Sequence, residues 1–106
     1  MNTNVISKVP KNISNDIEYQ EGAIISKVIL KSSGLNITLF AVSKGQEFSK
    51  HTTTSKAIVH IVEGTGEFML AEKWHDFQEN DYFFMEENLV HAIKAKSDFK
   101  FLLYLF

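Results

Sequence analysis

The chain contains no cysteine, so disulfides and thiolate metal sites are both excluded. Its one proline, Pro10, falls within a polar, Asn- and Ser-bearing opening segment. No apolar run approaches the roughly 20 residues of a membrane span. No stretch is strongly basic, and eleven Lys and Arg against thirteen Asp and Glu give a formal net charge of −2. The electrostatic footprint of a nucleic-acid or anionic-membrane binder is therefore missing. Nor is there an internal repeat, a low-complexity tract or a helical apolar stripe of about 10 residues. The opening segment also lacks the apolar core of a signal peptide, so a cytoplasmic location is expected.

What is present is the material for one β domain. The 106 residues suit a single domain, 44% of them are hydrophobic, and nine are Phe. Residues 1–21 read as an N-terminal arm, loosely ordered or swapped onto a second copy as a strand. From residue 22 to 106 short apolar runs alternate with polar turns. LNITLFAV (35–42) places Leu35, Ile37, Leu39 and Ala41 on one face and Asn36, Thr38 and Phe40 on the other, the period of a half-buried strand. Further strands are expected at 24–30, 57–63, 66–71, 73–78, 81–85, 89–95 and 98–106. Between them Gly64, Asn80 and Asn88 are suited to the positive φ angles of tight turns. Many short strands with tight turns imply an all-β antiparallel barrel or sandwich.

At residues 45–68 the chain resembles the first motif of the cupin family: Gly, five residues, His-x-His, three or four residues, Glu, six residues, Gly. Gly45, His51 and Gly64 match, while Thr53 stands where the second His belongs and Ala57 where the Glu belongs. The second motif runs Gly, five residues, Pro-x-Gly, two residues, His, three residues, Asn. Residues 80–95 keep that spacing, but only His91 keeps the identity. The resemblance covers residues 22–106 and implies a cupin-like antiparallel β-barrel, a double-stranded β-helix or jelly roll.

The resemblance further implies a site inside the barrel, with a divalent transition metal (zinc, iron, manganese or nickel) as its common occupant. Of the family ligands only His51 and His91 carry over. Thr53 offers a neutral hydroxyl and Ala57 nothing. Glu47 shares strand parity with His51, but about 13 Å of extended chain separates them in the absence of a bulge. His75 alternates with Phe77, which should point inward, so His51, His75 and His91 form the candidate metal set. His60 is expected to face out. The competing arrangement is a ligand-binding pocket in which His51, Thr53 and His91 are the polar fixtures and no metal is needed.

Three functions follow as expectations. One is a small-molecule-binding cupin with a degenerate or absent metal site. The second is a metal-dependent enzyme of dioxygenase, isomerase or lyase type, and the third a module without a specific ligand. FKFLLYLF (99–106) is apolar on both faces and must be covered twice, by the barrel and by the arm or a second subunit. Small cupins are commonly dimers, so a homodimer is expected. Trp74, Tyr82, Phe83 and Phe84 are expected mainly as core.

Overall fold

A computed structural model of the chain describes residues 9–106. Nine strands follow one short 3-10 turn at Ile13–Asn15: β1 Ile24–Lys31, β2 Asn36–Val42, β3 Glu47–His51, β4 Ala57–Glu63, β5 Gly66–Leu70, β6 Lys73–Phe77, β7 Tyr82–Met85, β8 His91–Ala95 and β9 Phe99–Leu105. They form a five-stranded sheet ordered β1-β2-β9-β4-β7 and a four-stranded sheet ordered β3-β8-β5-β6. Every pairing is antiparallel. The two sheets close face to face on one main core, the jelly-roll barrel that the strand pattern implies.

The turns obey the expected chemistry. Gly64, Asn80 and Asn88 all adopt positive φ. Gly64 has a second constraint, since a Cβ there would lie 2.2 Å from the Asp98 carbonyl oxygen. The β5–β6 hairpin is the exception, for Ala71 and Glu72 take left-handed φ of 50° and 70° without a glycine.

The apolar alternation of β2 points outward rather than into the barrel. Val42 and Phe40 belong to the main core, so Asn36 and Thr38 share their inward face. Leu39 and Ala41 instead pack with Ile17, Val62, Ile13 and Leu102 in a second cluster. That cluster is the underside of residues 13–19 of the arm. A bulge in β4, between Ile61 and Glu63, turns Val62 and Glu63 toward the same outer side. There Tyr19 donates to Glu63 at 2.7 Å, and Lys100 bonds the Ser14 carbonyl and lies 4.8 Å from the Tyr19 ring. Burial, then the hydrogen bond to Glu63, pushes the Tyr19 phenol up. Asp16 pairs with both Lys27 and Lys11. The described part of the arm is thus pinned to its own sheet, with no strand in it, and residues 1–8 lie outside the described residues.

Phe83 alone of the aromatic run at Tyr82–Phe84 packs inward, stacked on Phe68 at 4.3 Å. Tyr82, Phe84 and Trp74 are exposed, because residues of the opposite parity on these outer strands face water. On the outer face of the larger sheet, Leu30, Ile37, Tyr104, Ile58 and Phe84 stand in register, one per strand. The described part of the arm packs on Leu39, Ala41, Val62 and Leu102 instead.

Candidate functional site

Register shows what the barrel interior holds at each level. At one end Val42 pairs with Phe99, and the next row carries Phe40, Phe101 and Ile61. The rings interlock: Phe40 stacks on Phe101 at 4.8 Å, and Phe48 meets both edge-on at 5.9 Å. Toward the other end the inward rows become Thr38, Leu103, Val59 and Phe83, then Asn36, Leu105, Ala57 and Met85. Thr38, Asn36, Leu103 and Leu105 face inward yet remain part-exposed, whereas Phe99 and Phe101 are fully buried. These part-exposed side chains of β2 and β9 make this the less covered end, although Ala57, Val59 and Met85 on the same rows are buried. It is the mouth.

His51 and His91 sit there. They are direct partners across β3 and β8, with ring centroids 4.1 Å apart. A bulge makes this possible. Phe48 pairs with Ile93 and His51 with His91, so three steps along β3 match two along β8. Without the extra residue His51 would share the outward parity of Glu47, which lies opposite the exposed Lys94. The bulge therefore corrects the expected relation: Glu47 faces out while His51 faces the mouth.

Each imidazole is oriented by the backbone. His51 Nδ1 lies 2.6 Å from the Ser49 carbonyl oxygen and His91 Nδ1 lies 2.9 Å from that of Leu89. A carbonyl can only accept, so both Nδ1 atoms carry the proton and donate it. In the neutral form of such a ring Nε2 is left as a lone pair. His91 is 5% exposed and lies near-parallel to Phe68, while His51 remains exposed at the rim. Burial, with a smaller contribution from neighbouring His51, holds the His91 pKa below its usual value and keeps the ring neutral.

The other expected site residues fare differently. Thr53 lies two residues beyond His51 in the β3–β4 loop, where its Oγ1 accepts from the Ser55 backbone N–H at 3.3 Å and its carbonyl accepts from the Asn88 backbone N–H. Its hydroxyl proton remains free to donate. His75 keeps inward parity, but on outer strand β6 and one row deeper. There it pairs with Phe68 and lines a groove of ≈ 580 Å³ with Asp76, Asn80 and Tyr82. Strand β5 separates it from β8, so it does not join His51 and His91. His60 faces out, in register with Leu102 and Tyr82. Asn36 was not among the expected site residues. Its Oδ1 is buried without a hydrogen-bond partner, on the inward row at the mouth.

The donor set does not fit a resident catalytic metal. Among the described residues, no three His, Cys, Asp or Glu side chains come together to hold an ion. Two imidazoles fall one ligand short of a three-ligand catalytic zinc site or of two His and a carboxylate. Where the carboxylate belongs, fully buried Ala57 packs in the core beside Met85.

A jelly-roll barrel with two histidines at its mouth is the cupin arrangement. A model of the cupin domain matches residues 38–105, and the chain belongs to that family. A cupin superfamily protein from Desulfitobacterium hafniense shares the fold with a TM-score of 0.90 and 22% identity, covering 97% of this chain and 94% of that one. A conserved protein of unknown function from Streptococcus pyogenes follows with a TM-score of 0.88 and 24% identity, covering 96% of this chain and 90% of that one. A cupin 2 conserved barrel domain protein from Leptotrichia buccalis is 28% identical with a TM-score of 0.84, over 90% of this chain and 46% of that chain. No curated protein sequence matches. Among the described residues no helix is long and apolar enough to cross a membrane.

Proposed function

We propose that this chain is a small-molecule-binding cupin whose open mouth holds its ligand through His51, His91 and Thr53 without a resident metal. One observation carries the reading. Two adjacent imidazoles have their Nδ1 protons fixed on backbone carbonyls, which leaves two Nε2 lone pairs for a guest. The metal-dependent enzyme reading needs donors that Ala57 and Thr53 do not supply. Cupin barrels carry many activities, so the barrel itself selects no reaction.

Imidazole ¹⁵N resonances test this directly. The full chain, kept in chelator, is titrated with neutral, anionic and cationic small-molecule sets. At least one set should shift His91 Nε2, and the His51→Ala variant should weaken that response. Silence to all three sets would overturn the reading.

Among the described residues the row Leu30, Ile37, Tyr104, Ile58 and Phe84 is at least part-exposed, which supports a homodimer. Leu30 is 43% and Phe84 45% exposed, and a row that crosses five strands is large for a monomer to leave in water. Sedimentation of the wild type should give a dimer and Phe84→Lys a monomer. A monomeric wild type would remove this part of the proposal.

A further inference from the structure

On one flank the two sheets do not pair with each other. Strand β7 ends the five-stranded sheet and β6 ends the four-stranded one, and residues of both line one groove of ≈ 580 Å³. Asp81 gives its carbonyl oxygen to the Ile61 N–H as β7 begins against β4. Backbone direction alternates along a strand, so Phe83 and Met85 bond β4 opposite Val59 and Ala57. Tyr82 and Phe84 then turn their N–H and C=O groups away from the sheet. Among the described residues no strand takes them up.

An open edge is usually blunted by lysine, proline or a bulge. Strand β7 has none of these. It reads Tyr-Phe-Phe-Met in unbroken register with β4, with Tyr82 69% and Phe84 45% exposed. Charge is confined to its ends, where Asp81 precedes it and Glu86 and Glu87 follow. Of the cations on neighbouring elements, Lys96 is held by Asp76 at 2.8 Å and Lys94 lies over the Trp74 ring. Lys73 begins β6, beyond the groove, and Lys56 precedes the Ala57–Met85 pair. Three carboxylates against that one adjacent lysine leave the ends of β7 acidic.

A second copy is a poor occupant. Antiparallel pairing of β7 with itself would lay the Asp81 end of one copy against the Glu86 and Glu87 end of the other. We infer that the β7 edge accepts an extended peptide segment with an apolar centre and Lys or Arg at both ends, added as a further strand. Main-chain hydrogen bonds to Tyr82 and Phe84 would hold it, and its side chains would alternate between two environments. One set enters the groove over Leu70 and Phe83, and the other lies beside Tyr82 and Phe84 on the outer face. The inference uses neither His51 nor His91 and is independent of the binding role proposed for the mouth.

The full chain is tested with a blocked peptide carrying two lysines on either side of Val-Phe-Val-Tyr. Its twin has glutamates for the lysines, and a third version is basic but N-methylated along the edge that would bond β7. In the free chain the Tyr82 and Phe84 amides should exchange quickly with solvent, and the basic peptide should slow both. The acidic twin and the N-methylated version should each bind at least about tenfold more weakly by fluorescence anisotropy. Tyr82→Pro removes an edge donor that β4 does not use, and should weaken the basic peptide about fivefold. Glu86→Lys combined with Glu87→Lys should bring the basic and acidic peptides close to equal affinity. Equal binding of the N-methylated peptide, which leaves the protein unaltered, would overturn the inference. So would no binding of the basic peptide, or equal binding of the acidic twin to wild type. Slow exchange of Tyr82 and Phe84 in the free chain would overturn it as well. Loss of that protection on dilution would identify a second copy as the occupant, and loss on deleting residues 1–8 would identify the chain's own N-terminal segment.

Discussion

The two ends of this barrel are made from different residues. At the closed end Phe40, Phe48, Phe99 and Phe101 fill the space ring against ring, and Gly64 lets β9 approach without a Cβ between them. At the mouth the same strands carry Asn36, Thr38, Ala57 and two imidazoles. One end is packed ring against ring, while the other keeps, among the described residues, a buried side-chain acceptor without a partner. Under the proposed binding role, stability is concentrated away from the guest and the mouth bears a small cost. If that division holds, substitutions at the closed end cost stability, and those at the mouth cost binding and can even add stability.

The largest expected effect is Phe101→Ala. Phe101 is 2% exposed and stacks on Phe40 and Phe99, so its loss should cost about 4 kcal/mol in urea unfolding. That is a large share of the about 5–15 kcal/mol of a typical domain. His51→Ala, at the exposed rim, should stay within about 0.5 kcal/mol. Comparable losses for both would abolish the contrast.

A pair of glycines sharpens it. Gly64 has φ +91°, and an added Cβ would meet the Asp98 oxygen at 2.2 Å and Phe99 Cβ at 2.5 Å. The backbone itself must shift, so Gly64→Ala should cost about 3 kcal/mol. Gly34, in the β1–β2 hairpin at the mouth, has nothing within 4 Å of the added carbon, and Gly34→Ala should be near neutral by the same measurement.

These contrasts also mark what the sequence could disclose. Eight of the nine strands follow from alternation and turn residues, and Gly64, Asn80 and Asn88 take the φ angles their chemistry favours. The pairing of His51 with His91 was legible through the cupin-like spacing. The bulge that aims His51 was not, since Ser49 and Lys50 carry no local signal for an extra residue. The apolar stripe Leu39 and Ala41 looks like a barrel face, but the arm buries it from outside, and periodicity does not distinguish the two covers. Asn36 gave no sign at all, because an inward polar residue on a strand looks in sequence like an outward one.

A further substitution, Glu72→Gly, turns on the β5–β6 hairpin, whose Leu70 pairs with His91. Ala71 and Glu72 both hold left-handed φ in a turn where glycine is favoured, and relieving Glu72 should raise stability by about 1 kcal/mol. The Lys50–Glu72 pair lost with it is exposed and worth less. A higher melting temperature would show strain stored at the mouth. An unchanged one would assign that turn no cost.

The smallest effect is a dependence on pH between 7.5 and 5 that His91 sets at the mouth. Burial lowers the His91 pKa in the folded chain below its ordinary 6.5. The unfolded chain therefore binds a proton first as pH falls. The stability that neutral His91 contributes is complete above 6.5 and declines as pH drops through the depressed folded value. Unfolding measured from pH 7.5 to 5 should show this decline in wild type, and His91→Gln should flatten it. An equal slope in the variant would mean that the imidazole is not held neutral by its burial, and the proposed binding role would then lose the lone pair that carries it.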